Sequence, residues 1–368
     1  MADNSVNNRK LFFVAGERSG DLHGSNMIKE LLKQDPNLEL QGFGGDMMEM
    51  AGMRLDRHYS TLAFMGFWEV LTKIRTITRA LKECKKNILE FEPEAIVLID
   101  YAGFNLKIAK FAKQHSIKVI YYISPKVWAW NQSRAWKIKK LVDLMLVIMP
   151  FEKSFYKKYD FDVEYVGNPV QDAIRNHEVN SSFKAIHNLP NRKIVAVLPG
   201  SRRQELDHLA PTLVQTIKQK PEFHFCVAKV SNLSARYYSS FALLKNCSII
   251  EDETYDLLAN SDLAIVASGT ATLETALWNV PQVVVYRSSW LSYQIAKAVI
   301  KVPYISLVNL IAGKEIVKEL IQGDAKPTSI LGEIEKLGEV KPEEFYQPLF
   351  EALGKEGASK KAARAILT

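Results

Sequence analysis

Short apolar runs rich in β-branched residues alternate with amphipathic stretches along most of the chain. That alternation limits the fold more than any other feature. Runs such as Leu11–Ala15, Ala95–Asp100, Lys118–Ile123, Leu144–Ile148, Ile194–Leu198, Leu263–Val266 and Gln282–Tyr286 lack the polar-apolar alternation of a half-exposed strand. Strands buried on both faces read this way, and helical periods between them predict βαβ units around parallel sheets. The pattern restarts near Gly167-Asn168-Pro169-Val170, and 368 residues suffice for two α/β domains.

Each half opens with a strand and a glycine turn: Gly16-Glu17-Arg18-Ser19-Gly20-Asp21 in the first, Pro199-Gly200-Ser201-Arg202 in the second. A further small-residue turn, Ser268-Gly269-Thr270-Ala271, follows another apolar run and leads into Glu274. Turns of this kind leave backbone N–H groups at a helix start, where an anion can sit. Two of them in the second half, one carrying Arg202, fit a diphosphate; ordinary capped βα turns are the plainer alternative. The first turn has neither the spacing of a dinucleotide fingerprint nor the ending of an ATP-binding loop. Its carboxylates, Glu17 and Asp21, would repel phosphate, so a sugar-hydroxyl contact is expected there.

Asp100 closes the run Ala95–Ile99, at the strand end where catalytic bases commonly sit and where helix caps also occur. Trp128 and Trp130 flank a proline turn and suit either sugar stacking or a core. His23 is the one histidine within a candidate turn, and no histidine pair has metal-ligand spacing. No metal or cofactor is expected.

The net charge of +7 fits a phosphorylated substrate, an anionic membrane surface or nucleic acid. No helix-turn-helix, zinc-finger or RNA-recognition signature accompanies it, so nucleic acid is not an expected partner. Cys84, Cys226 and Cys247 are scattered and odd in number, which argues against a disulfide frame. With no signal peptide and no apolar run of ~18 residues, a cytosolic compartment is expected. The stretch Phe64–Leu89 has helical apolar spacing with six basic residues around it. It reads either as a core-facing helix or as one lying in a membrane interface.

The ordered set Gly16-Glu17-Arg18-Ser19-Gly20-Asp21, Gly44-Gly45, Met65-Gly66, Ile99-Asp100, Phe104-Asn105, Ser124-Pro125, Trp128-Ala129-Trp130, Gly167-Asn168-Pro169, Pro199-Gly200-Ser201-Arg202, Ser268-Gly269-Thr270-Ala271 and Val308-Asn309-Leu310-Ile311-Ala312-Gly313 resembles the lipid-A-disaccharide synthase family from about residue 11 to 322. The resemblance implies a GT-B fold: two facing Rossmann-like domains with parallel sheets and an interdomain cleft. Residues 1–168 would form an N-terminal domain on the acceptor and membrane side. Residues 169–340 would bind the UDP-sugar, and 341–368 would pack back on the N-terminal domain.

The implied activity is inverting transfer of 2,3-diacylglucosamine from its UDP ester to 2,3-diacylglucosamine 1-phosphate, giving the β-1,6-linked disaccharide phosphate and UDP. Asp100 is then the expected general base, with His23 in reserve. Gly200, Ser201 and Arg202 take the diphosphate, with Ser268, Gly269, Thr270 and Ala271 as the second phosphate turn. Glu274 suits ribose hydroxyls, and Gly16, Glu17, Ser19, Gly20, Asp21 and Asn309 complete the substrate contacts. Phe64, Met65, Phe67, Trp68 and Leu71 would touch the cytoplasmic leaflet of the bacterial inner membrane. A homodimer is compatible with the Lys- and Ala-rich tail after Gly354. Where many members read Asp-x-Pro-Asp-Phe-Asn, this chain reads Asp100-Tyr101-Ala102-Gly103-Phe104-Asn105, so the second acid is absent. Two alternatives remain at this point: another UDP-sugar GT-B enzyme such as a UDP-N-acetylglucosamine 2-epimerase, or a catalytically silent, membrane-associated nucleotide-sugar binder.

Overall fold

The computed structural model describes residues 8–61 and 74–368. The chain divides into two compact units, one reaching from the N-terminus to Pro169 and including Lys355–Thr368, the other Val170–Gly354. Each is a parallel sheet with helices between its strands, so the α/β, two-domain Rossmann-like class of the GT-B fold is present.

In the first unit the strands are β1 (Lys10–Ala15), β2 (Glu39–Gly44), β3 (Arg54–His58), β4 (Ala95–Ile99), β5 (Lys118–Tyr122), β6 (Leu144–Val147) and β7 (Glu164–Tyr165). Their order across the sheet is β3-β2-β1-β4-β5-β6-β7. In the second unit they are β8 (Ile194–Leu198), β9 (His224–Lys229), β10 (Cys247–Glu251), β11 (Leu263–Ala267), β12 (Gln282–Tyr286) and β13 (Glu319–Ile321), ordered β10-β9-β8-β11-β12-β13. Strand order therefore reverses between β1 and β4 in one unit and between β8 and β11 in the other. A crevice opens at the carboxyl ends of such a pair because the helices that follow them leave on opposite faces of the sheet.

Neither β3 nor β13 is legible from apolar runs. β3 reads Arg54-Leu55-Asp56-Arg57-His58 and lies at a sheet edge, where one side needs no apolar cover. β13 is three residues long and also at an edge.

The first unit's core joins Leu11, Phe13 and Ala15 of β1 and Val97 and Ile99 of β4 to Met27, Ile28 and Leu31 of the helix Arg18–Gln34. Ala362, Ala363 and Ile366 of the last helix, Ala358–Leu367, complete it, and Arg9 donates to the Leu367 carbonyl at 2.9 Å. The expected tail segment 341–368 is thus split. Its first helix, Pro342–Leu353, belongs to the second unit, because the buried Tyr346 hydroxyl donates to the Val280 carbonyl at 2.7 Å and accepts from Gln282 Nε2 at 3.1 Å.

Of the expected helix Phe64–Leu89, the structure describes Ile74–Phe91. Ala80, Cys84 and Ile88, spaced by four, are fully buried, while Arg75, Arg79, Lys82 and Lys86 are exposed. This part is a core-facing helix with a solvated basic back. Phe64, Met65, Phe67, Trp68 and Leu71 lie outside the described residues.

Candidate active site

At the reversal in the first unit, β1 runs into Gly16-Glu17 and β4 into Asp100-Tyr101. Asp100 and Tyr101 both have left-handed backbones, with φ of 45° and 46°. Non-glycine residues in that region are held there by their surroundings, and the clamps are visible. The Asp100 N–H donates to the Tyr122 carbonyl at 3.0 Å. Its carbonyl accepts from Asn105 Nδ2 at 2.8 Å and from the Tyr121 hydroxyl. The Asn105 amide also donates to the Ile99 carbonyl at 3.1 Å, so one buried side chain fixes the end of β4. The Tyr101 ring lies over Gly16, where a Cβ would come within 2.2 Å of Tyr101 Cδ1.

That contact yields a prediction. Gly16→Ala must push the Tyr101 ring aside and disturb the strained pair. Any turnover that depends on Asp100 is expected to fall ~100-fold, as misplaced catalytic groups typically cause, with a small loss of melting temperature. Full activity in Gly16→Ala would show that Tyr101 does not position Asp100.

Burial raises the Asp100 carboxyl above its ordinary value of 3.8; the nearby charge of Glu17 raises it further, and Lys126 partly offsets both. A carboxylate shifted this way is a better proton acceptor than a solvated one. Gly103 is exposed, and a Cβ there would meet nothing within 4 Å, so the position has room for the acid it lacks.

The other residues expected around this turn separate by role. Glu17 and Ser19 are exposed at the start of the helix Arg18–Gln34. Gly20 lets that helix approach the sheet, its Cβ position lying 3.3 Å from Ala15 Cβ and 3.7 Å from Ile99. His23 is half-buried one turn after Ser19. The sugar-hydroxyl contact expected of Asp21 is corrected. Its buried carboxylate accepts from the N–H groups of Gly45 (2.8 Å), Met48 (3.1 Å) and Met47 (3.2 Å), and so caps the helix Asp46–Met50. Trp128 is buried edge-on to Phe151, with ring centroids 4.9 Å apart, whereas Trp130 is exposed beneath the Arg134 guanidinium.

In the second unit the two small-residue turns follow β8 and β11, the adjacent strands where order reverses. They are not equivalent. Behind β8, Gly200 has φ of 105°, and a Cβ there would come within 2.2 Å of Glu205 Oε2. That oxygen accepts from the N–H groups of Ser201 (3.0 Å) and Arg202 (3.2 Å), while Arg202 Nη1 lies 3.6 Å from Glu205 Oε1. The nest expected to hold a diphosphate is thus already filled by the chain's own carboxylate at the start of the helix Arg203–Lys218. What this turn offers a ligand is the Arg202 side chain, 71% exposed, and the exposed Ser201.

Behind β11 the turn is open. Gly269 and Thr270 are exposed, and among the described residues no side chain caps the helix Thr270–Leu277. Ser268 anchors the turn from below by donating to the Ile305 carbonyl at 2.8 Å. Thr272 Oγ1 donates to the Gly269 carbonyl at 2.8 Å. The first-turn amides, including that of Ala271, lack intrahelical partners by construction. Glu274, one turn on, accepts from the Tyr255 hydroxyl at 3.1 Å; burial raises its carboxyl and that bond partly offsets the rise.

Asn309 is corrected as well. It is fully buried: Nδ2 donates to Val317 O (2.8 Å) and Glu319 Oε1 (2.9 Å), and Oδ1 accepts from the N–H groups of Ile316 (2.7 Å) and Val317 (3.0 Å). Every bonding position of the amide is used, so it fastens the helix Leu307–Ala312 to the approach to β13 and has none left for substrate. Among the described residues no group of three His, Cys, Asp or Glu side chains could hold a metal ion. Asn105, Tyr121 and Glu205 fix the backbone of the candidate site although residue type alone does not single them out. The sequence signal for Glu205 was its place three residues after the N-cap, Arg202, the acid position of a capping box.

Comparison with known proteins bears on this arrangement. The family model described as lipid-A-disaccharide synthetase matches residues 11–367. The lipid-A-disaccharide synthase of Geobacter metallireducens is 37% identical over 372 residues, covering 98% of this chain and 97% of that protein. The enzyme of the same name from Coxiella burnetii is 38% identical over 340 residues, covering 90% and 89%. Among solved structures, UDP-GlcNAc 2-epimerase from Neisseria meningitidis, bound to UDP-GlcNAc, superimposes with a TM-score of 0.66 at 16% identity, covering 97% of this chain and 98% of that one. At that identity the likeness concerns the fold alone. With nearly its whole length matched by the family model and by relatives above 30% identity, the chain belongs to the lipid-A-disaccharide synthase family.

Proposed function

We propose that the chain condenses UDP-2,3-diacylglucosamine with 2,3-diacylglucosamine 1-phosphate, releasing UDP and the β-1,6-linked disaccharide 1-phosphate. The observation that carries the residue assignment is Asp100. It is desolvated at the carboxyl end of β4, clamped in a strained backbone, and beside the turn after β1. The acceptor 6-hydroxyl oxygen attacks the donor's anomeric carbon and its proton passes to the Asp100 carboxylate. The bond from that carbon to the diphosphate oxygen breaks on the opposite side, and UDP leaves with the electron pair. His23 stands as reserve base.

The donor is assigned to the second unit. The open Gly269–Ala271 turn and the Arg202 guanidinium take the diphosphate, and Glu274 takes ribose hydroxyls. Donors fixed in advance stabilise the leaving charge because they need not reorganise during the reaction. Arg18, at the start of the helix after β1, and Lys126, in the turn after β5, supply positive charge for the acceptor phosphate. Acylated substrates place the enzyme at the inner face of the bacterial inner membrane as a peripheral protein; among the described residues no helix is long and apolar enough to cross a membrane.

The test is a detergent assay with labelled UDP-2,3-diacylglucosamine, run with and without the monosaccharide phosphate. Disaccharide that appears only with acceptor is the expected result. UDP release or sugar inversion without acceptor, and no disaccharide, would turn the reading to an epimerase of the type seen among the solved structures.

A further inference from the structure

The helix Trp290–Val299 of the second unit contains no buried residue. Trp290, Leu291 and Ile295 are 73, 63 and 57% exposed, and Val299 and Ile300 are exposed as well. Leu291, Ile295 and Val299 recur every fourth residue, so they form one stripe along the helix. Only Tyr293 and Ala296 are partly covered. Scattered exposed apolar residues need no explanation, but a stripe headed by a tryptophan does.

Charge along this stretch of chain is one-sided. Between Glu274 and Glu315 the chain has no acidic residue, while Arg287, Lys297, Lys301 and Lys314 are all basic. At the helix start an open concavity of about 290 Å³ is lined by His208, Arg287, Ser288, Trp290, Gln322 and Gly323. The Arg287 guanidinium is braced there by Thr212 and by the Gln322 carbonyl at 3.2 Å. Arg287 directly follows β12, so this cationic mouth lies at the same carboxyl edge of the sheet as the two phosphate turns.

We infer that the helix Trp290–Val299 is a lipid-contacting surface of the second unit, lying in the interface of an anionic bilayer. Its aliphatic stripe enters the acyl boundary, Trp290 sits at headgroup depth, and Lys297 and Lys301 meet lipid phosphates. An apolar face with cationic flanks is the composition that binds such a surface. A soluble protein partner would need acidic side chains against the lysines and dry cover for the stripe, and a second copy of this face would bring like charges together. The inference rests on the proposed peripheral membrane reading and extends it to an element the sequence did not mark.

The test is sedimentation of the intact protein with phosphatidylglycerol-containing vesicles and with pure phosphatidylcholine vesicles. One variant combines Leu291→Ser, Ile295→Ser and Val299→Ser; the other combines Lys297→Glu and Lys301→Glu. All five side chains are exposed, so melting temperatures should match wild type. Each variant is expected to bind anionic vesicles at least ~10-fold more weakly, and the charge reversal should spare the residual binding to phosphatidylcholine. Undiminished vesicle binding by the serine variant would overturn the proposal, as would a fall in oligomeric mass with vesicle binding unchanged. The wild-type transfer assay in detergent reports separately on the transferase reading, so failure of one is distinguishable from failure of the other.

Discussion

Asp100→Ala is expected to cut disaccharide formation at least ~100-fold, the usual cost of removing a general base, while the protein stays folded. The side chain contributes one bond to the local backbone, accepting from the Tyr101 N–H, and is not its main clamp. Asn105, Tyr121 and Tyr122 provide that clamp through the main-chain groups of Asp100. The isosteric Asp100→Asn should be equally inactive, and it adds a stability readout. The folded protein holds the carboxyl above 3.8. As pH climbs from 3.8, the unfolded chain loses this proton first, so wild-type stability falls until the folded-state value is passed, and the cost remains at higher pH. Asparagine carries no such cost. Asp100→Asn should therefore melt at the same or a higher temperature than wild type near neutral pH and show no such gain below pH 3.8. Wild-type kcat/KM should decline on the acid side through the raised Asp100 value. An active Asp100→Asn would move the base elsewhere, to His23 first.

Arg202→Ala is the second large effect. If the guanidinium meets the leaving diphosphate, its loss removes one charged donor fixed near the developing charge, worth ~3–4 kcal/mol where such donors have been removed. A fall of ~100-fold or more in kcat/KM should follow, together with weaker UDP binding by calorimetry. Arg202 is exposed and its one ion pair among the described residues, with Glu205, is a surface contact; such pairs contribute little to stability, so the fold should not suffer. Lysine should restore only part of the activity, because a point charge cannot replace a planar fork. If Arg202→Ala binds UDP as wild type does, the diphosphate belongs to the Gly269–Ala271 turn alone. Glu205 sharpens the case: its carboxylate already fills the amides of Ser201 and Arg202, so donor recognition after β8 must come through side chains unless Glu205 withdraws.

Runs of apolar residues determined most of what the sequence could say. β1, β4, β5, β8, β11 and β12 were legible because a strand buried on both faces needs apolar residues at every position, a property local to five or six residues. Asp100, Arg202 and the Ser268–Ala271 turn were legible because they sit at the ends of those runs, where the chain must turn. The polar edge strand β3 and the three-residue β13 were not, since an edge asks for neither burial nor length. The sequence also could not show that strand order reverses between β1 and β4 and between β8 and β11. That reversal makes turns far apart in sequence neighbours at one sheet edge.

What only the tertiary structure decided is which polar residues are free to act. Asp21 and Asn309 look like ligand contacts in a motif, yet both are buried with their hydrogen-bonding groups engaged within the fold, Asp21 by amides 24 to 27 residues away and Asn309 by backbone groups and the Glu319 carboxylate. Gly16 is glycine because a tyrosine ring from beyond β4 lies on it. Motif residues of both kinds look alike along the chain, because residue type records a capacity to bond. The partner that uses that capacity comes from another part of the fold, brought near only when the sheets assemble.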